Sequence, residues 1–324
     1  MEQKIFHGGN LEVATARFGT PIEGWLDLST GINPEAYPIG KLPETCWTRL
    51  PSSDGRLREA AALAYSAPSP ELIVPAPGTQ AIIKRLPELF SHRRTVAIFS
   101  PTYAEHAHAW KACGHEVREV SEIEEIGDAP IAVLVNPNNP TGRRFSAGEL
   151  VNLSQRLDLL IVDEAFADVA PELSVSNEVS ERNIIVLKSF GKFFGLAGLR
   201  LGFAIANKKI SGQLREKLGP WAVSGPSIEI GAQALNDQEW IAATRDRLAK
   251  DKERLDSLLI SKGLKILGGT DLFRLGENHK AQEFYEKFGR AGILVRPFAT
   301  HPSWLRFGLP GKDSDWQRLE KLTL

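Results

Sequence analysis

The chain has 324 residues, 42% of them apolar and 24% charged, proportions of an ordinary globular protein long enough for two joined domains. Thirty-nine basic residues stand against forty acidic ones, so no field of one sign is available to hold nucleic acid or an anionic membrane. Two cysteines without a C-x-x-C spacing argue against a disulfide framework, and Cys46 and Cys113 read as reduced thiols.

Met1 to Asn10 is polar and lacks a hydrophobic signal core. No apolar run approaches the roughly 20 residues that span a bilayer, and the expected location is the cytoplasm. In chain order, Leu57–Ser66 has helical spacing, Glu71–Val74 reads as a short strand, and Ala81–Phe90 as a helix that Pro87 bends or ends. Thr95–Phe99, Ile131–Val135, Leu159–Val162, Ile184–Leu187 and Leu201–Ala206 are short continuous runs rich in Val, Ile and Leu. Such runs predict strands buried on both faces, and the helical stretches between them predict βαβ crossovers and a mostly parallel sheet.

From about Pro226 the texture changes. Gly231–Lys262 is a long charged helical stretch, broken near Asn236. Gly263–Gly268, Leu272–Leu275 and Gly292–Arg296 read as strands, Glu283–Gly289 and Ser314–Leu322 as helices. The expected division is a large domain over residues 30–220, and a smaller α+β domain from residues 1–29 and 221–324.

Four segments carry chemistry. Ser189-Phe190-Gly191-Lys192 leads into the glycine-rich Gly195 to Arg200. A lysine in a desolvated site with a cationic neighbour presents a neutral, nucleophilic amine, and Ser189 and Arg200 flank it as ligands for one phosphate. Asn136 to Gly142 follows a buried strand, at the carboxyl end where ligands bind in such sheets, and Asn139 has an amide to donate there. Its prolines alone would also explain a stiff turn. Asp163 ends an apolar strand, where a carboxylate needs a partner. A protonated pyridine nitrogen is one such partner; a helix cap or an ion pair is another. Glu164 reads as structural. Pro77-Gly78-Thr79-Gln80 opens a helix whose free N–H groups suit a phosphate.

Together these segments resemble the fold type I pyridoxal-phosphate (PLP) enzymes of the class I/II aminotransferase family, over nearly the whole chain. The resemblance implies an α/β fold of that type: a large domain with a mostly parallel sheet flanked by helices, plus a smaller α+β domain. It implies PLP as cofactor, held covalently by Lys192, with Asp163 on the pyridine nitrogen and Asn139 on the ring hydroxyl. Tyr103, in Ser100-Pro101-Thr102-Tyr103, would stack on the ring, and Gly78, Thr79, Ser189 and Arg200 would bind the cofactor phosphate. The family often has tyrosine where Phe166 stands, and often serine where Gly191 stands.

Within the family the chain ends are similar to the L-threonine O-3-phosphate decarboxylases of cobalamin synthesis. The carrying residues are His7-Gly8-Gly9-Asn10, the run from Trp25 to Pro34, Ile293 to Pro297 and Trp304 to Gly311. That likeness places His7, Asn33 and Arg296 near the substrate phosphate and Arg306 on its carboxylate. The cofactor residues serve decarboxylation and transamination alike, so histidinol-phosphate or another amino-acid aminotransferase stays open as the alternative. The family also implies a homodimer acting on a small phosphorylated amino acid.

Overall fold

The computed structural model describes residues 8–51 and 53–323. Its strands are β1 (Leu26–Asp27), β2 (Ile73–Ala76), β3 (Thr95–Phe99), β4 (Glu116–Val120), β5 (Ile131–Val135), β6 (Leu159–Asp163) and β7 (Ile184–Ser189). They continue as β8 (Gly202–Ile205), β9 (Lys265–Thr270), β10 (Phe273–Glu277), β11 (Ile293–Leu294), β12 (Arg296–Pro297) and β13 (Trp304–Gly308). The residues divide into two compact units. One holds Tyr37–Asn139 and Arg143–Ile241; the other holds the described residues up to Ala36, Pro140–Gly142 and those from Ala242 onward.

The first unit is built on a seven-stranded sheet in the order β2-β8-β7-β6-β5-β3-β4. Strands β7, β6, β5, β3 and β4 run parallel, while β8 runs antiparallel to both β7 and β2. Every residue of β5 and β6 is buried, as expected of strands covered on both faces. The core joins Val74, Ile98, Val133, Ile161 and Leu187 of the sheet with Ile82, Ile83 and Trp110 from the helices Thr79–Arg85 and Glu105–Ala112.

Local chemistry sets several element ends. The expected strand at Glu71–Val74 begins later, at Ile73, because Pro70–Leu72 forms a 3₁₀ turn capped by Ser69 Oγ, which accepts from Glu71 N at 3.2 Å. The helix expected over Ala81–Phe90 spans Thr79–Arg85, and Pro87 starts a separate 3₁₀ turn because its ring cannot continue the helix. The break expected near Asn236 separates Gly225–Asn236 from Gln238–Ser261, where Asp237 Oδ1 accepts from Trp240 N at 3.0 Å.

The second unit carries an antiparallel sheet in the order β12-β13-β10-β9 and a parallel pair, β1 with β11. Helix Ala281–Arg290 buries Ala281, Phe284, Tyr285, Phe288 and Gly289, the i, i+3, i+4, i+7, i+8 stripe of a helix with one apolar face. No helix among the described residues is long and apolar enough to cross a membrane.

Candidate active site

Four parallel strands of the first unit, β3, β5, β6 and β7, each deliver a polar group at the carboxyl end. Ser100 to Tyr103 follow β3, Asn136 to Asn139 follow β5, and Asp163 ends β6. Ser189 ends β7, and Lys192 lies three residues on in the short helix Phe190–Phe193. Strand β8 runs the other way, so its leading residue Arg200 arrives at the same edge. A pocket there is lined by Tyr103, Asn139, Asp163, Ser189, Lys192 and Arg200, and also by Gly78 and Thr79. All eight residues expected to meet the cofactor therefore share one cavity.

Two glycines allow the close approach at one end of it. Gly78 has φ +82°, and a Cβ there would fall 2.7 Å from Arg200 Nη2. Gly202 pairs with both Ala76 and Ser189, and a Cβ on it would fall 2.6 Å from Thr79 N. The absence of side chains at these two positions lets the Arg200 guanidinium and β8 lie against the start of helix Thr79–Arg85. Ser189, Thr79 and Arg200 make this end of the pocket a set of donors with no carboxylate among them, which fits a phosphate.

Asp163 supplies the acidic group of the lining. It is 3% exposed, and His106, 1% exposed, sits with Nε2 at 2.9 Å from Asp163 Oδ2. Ala165 N donates to Oδ1 at 3.0 Å. The carboxylate is thus fixed from two sides in a dry setting, suited to hold a protonated ring nitrogen. Lys192 Nζ lies 5.6 Å from the ring centroid of Phe166, which is buried. An apolar ring in that place withholds solvent from the amine and offers it no hydroxyl.

Glu164, next in the chain, turns away from this chemistry. It forms a buried ion pair with Lys188, Nζ to Oε2 at 2.6 Å, and accepts from Ser174 Oγ at 2.6 Å and Val175 N at 2.9 Å.

The three other described candidates belong to the second unit. Arg296 on β12 pairs in register with Arg306 on β13. Arg306 is 7% exposed, donates from Nη2 to Ser29 O at 2.6 Å, and lies 5.2 Å from the Phe273 ring centroid. Burial first, and then the neighbouring Arg296 charge, lower its pKa to about 9, against the opposing pull of Asp27. Asp27 Oδ1 is itself engaged, accepting from Ser29 N and Ser29 Oγ at 2.8 and 2.6 Å. The register sets two guanidinium groups side by side, Arg306 buried and Arg296 half-buried, a pairing whose charge suits an anion. Asn33, 2% exposed, accepts at Oδ1 from Glu35 N at 3.1 Å and Arg247 Nη2 at 2.8 Å. His7 lies outside the described residues.

Sequence reasoning missed His106, Gln80, Asn138 and Arg247. His106 had a signal: it stands three residues after Tyr103, on the helix face that also buries Ala109 and Trp110. Asn138 ties two site loops, accepting from Thr102 Oγ1 at 2.8 Å and donating to Pro101 O at 3.0 Å.

A family model described as aminotransferase class I and II matches residues 50–319. A threonine-phosphate decarboxylase from Pseudomonas aeruginosa is 43% identical over 325 residues, covering 98% of this chain and 97% of that relative. A threonine-phosphate decarboxylase from Sinorhizobium sp is 43% identical over 320 residues, 95% and 94% of the two chains. Among solved structures, a histidinol-phosphate aminotransferase from Sinorhizobium meliloti in complex with pyridoxal-5'-phosphate superposes with TM-score 0.78 at 20% identity, covering 98% of this chain and 94% of the other. That last likeness concerns the fold.

Proposed function

Because the chain belongs to the class I and II aminotransferase family, we propose that it is a PLP-dependent carboxy-lyase, converting L-threonine O-3-phosphate to (R)-1-aminopropan-2-ol O-phosphate and carbon dioxide in cobalamin synthesis. The near-full-length likeness to two threonine-phosphate decarboxylases carries the reading. The paired arginines of β12 and β13 support it, because the substrate brings two anionic groups, a carboxylate and a phosphate.

The residues of the pocket fit PLP. Gly78, Thr79, Ser189 and Arg200 would take its phosphate, Asp163 its ring nitrogen, Asn139 its ring hydroxyl and Tyr103 one face of the ring. Bound there, PLP supplies an aldehyde that captures amines and a protonated ring that accepts the electron pair left at Cα. Lys192 would hold the cofactor through its amine, and the same amine would supply the proton that Cα receives. Asp163, fixed by His106 and Ala165, keeps the ring nitrogen protonated. Arg306 takes the carboxylate, while Arg296, Asn33 and His7 take the phosphate. Their task would be orientation: held at both anionic ends, the substrate would present one chosen bond of Cα for cleavage. Residues 30–220 form the cofactor domain in this reading, with 1–29 and 221–324 as the smaller one. The reading also includes a cytoplasmic homodimer, the usual state in the family.

The test is a product assay with L-threonine O-3-phosphate and PLP. Carbon dioxide and aminopropanol phosphate form without a keto-acid acceptor if the reading holds. A product that forms only with a keto acid present, without carbon dioxide, makes the protein an aminotransferase instead.

A further inference from the structure

Gln80 stands on the first turn of helix Thr79–Arg85 and lines the pocket beside Tyr103. Its carboxamide is held at both ends. The Tyr103 phenol donates to Gln80 Oε1 at 3.2 Å, and Gln80 Nε2 donates to Glu105 Oε2 at 2.5 Å. An ionised carboxylate only accepts, so Glu105 decides which way the amide faces and turns its carbonyl oxygen towards the phenol. The other side of the Tyr103 ring meets the His106 ring edge-on, centroids 6.1 Å apart at 85°. A tyrosine held at its far oxygen cannot swing about its first side-chain torsion, while its rotation about the second, whose axis passes through that oxygen, is limited by the His106 ring.

We propose that Gln80 is a positioning residue: through the relay from Tyr103 to Glu105 it fixes where the Tyr103 ring stands against the cofactor ring. The proposal rests on the reading that Tyr103 stacks on PLP. Gln80 touches no reacting atom in it. Its effect is felt in how tightly and in what orientation the cofactor is held.

The experiment uses the holoenzyme and reads the PLP dissociation constant and the visible circular dichroism of bound PLP, which follows ring orientation. Gln80→Leu removes both hydrogen bonds at nearly constant volume. It weakens PLP binding about three- to tenfold, the worth of one neutral hydrogen bond, and reduces the dichroism. Gln80→Glu sets a carboxylate against Glu105 and produces the same loss. Gln80→Glu combined with Glu105→Gln keeps an acceptor for the phenol, replaces the repulsion behind it with a donor–acceptor pair, and recovers both readouts. This swapped pair carries the test if Gln80→Leu does not fold. In a Tyr103→Phe background Gln80→Leu adds no further loss.

The proposal fails if Gln80→Leu changes neither readout, if it costs as much without the phenol as with it, or if the swapped pair stays as impaired as Gln80→Glu. The underlying reading fails separately: Tyr103→Leu then leaves the dichroism of bound PLP unchanged.

Discussion

His106 Nε2 and Asp163 Oδ2 stand 2.9 Å apart, and both side chains are almost wholly withdrawn from solvent. His106→Leu leaves the carboxylate with one donor fewer in a dry pocket. A hydrogen bond to a buried charge is worth about 1.5–3 kcal/mol, so kcat for decarboxylation falls about 10- to 100-fold. His106→Gln, which keeps a donor, recovers part of it. An unchanged kcat in the leucine variant would show that Asp163 needs no such support.

Lys192→Ala is expected to remove the covalent attachment of PLP. Borohydride treatment followed by mass spectrometry finds the cofactor attached to the parent chain at residue 192 and absent from the variant, which turns over no substrate. Attachment at another lysine would move the assignment.

Arg296→Ala is expected to lower kcat/KM for threonine phosphate about 10- to 100-fold, the loss of a charged hydrogen bond. Threonine itself should suffer far less. Equal losses for both substrates would take Arg296 away from the phosphate.

If Arg306 takes the substrate carboxylate, binding is expected to depend on pH. Its pKa is pushed down to about 9 by burial and by Arg296. The folded chain then binds fewer protons there than the unfolded chain between about pH 9 and the ordinary arginine range. The penalty for burying this charge is therefore complete below pH 9 and eases as pH rises above it. Anion binding favours the charged form, so KM for threonine phosphate rises as pH climbs through 9, and substrate binding there draws in a proton. Isothermal titration in two buffers of different ionisation enthalpy measures that uptake; none at pH 9–10 would place the carboxylate elsewhere.

Lys188 and Glu164 predict a change in stability. Both are buried, 3% and 0% exposed at the side chain. Lys188→Met strands a carboxylate in the core and costs about 3–5 kcal/mol, read as a lower urea midpoint of the apoprotein. A shift below about 1 kcal/mol would mean that Ser174 and Val175 satisfy Glu164 unaided.

The buried parallel strands were legible because covering both faces leaves an uninterrupted apolar run, as in Ile131–Val135. Strand β4, Glu116–Val120, left no such trace: it is the sheet's edge, and its charged residues face solvent. The site loops were legible through their own residues, prolines, asparagines and glycines placed just after apolar runs. Their supports were not. His106 meets Asp163 across 57 positions of sequence, and Gln80 meets Glu105 across 25, pairings that exist only once the sheet has brought β2, β3 and β6 to a common edge. Helix Glu105–Ala112, with two histidines and a lysine among eight residues, has no strong apolar stripe to announce which face goes inward.

The reversal of β8 ties two distant tasks to one short piece of chain. A parallel neighbour to β7 would require the chain to cross the sheet's face, usually as a helix, and re-enter at the opposite edge. An antiparallel one lets the chain turn within residues 190–201 and return Arg200 beside the lysine. Lys192 and the Arg200 guanidinium, which line one pocket, thus share a covalent leash. Added or deleted residues between Gly195 and Leu199 would change the placing of Lys192 and Arg200 together.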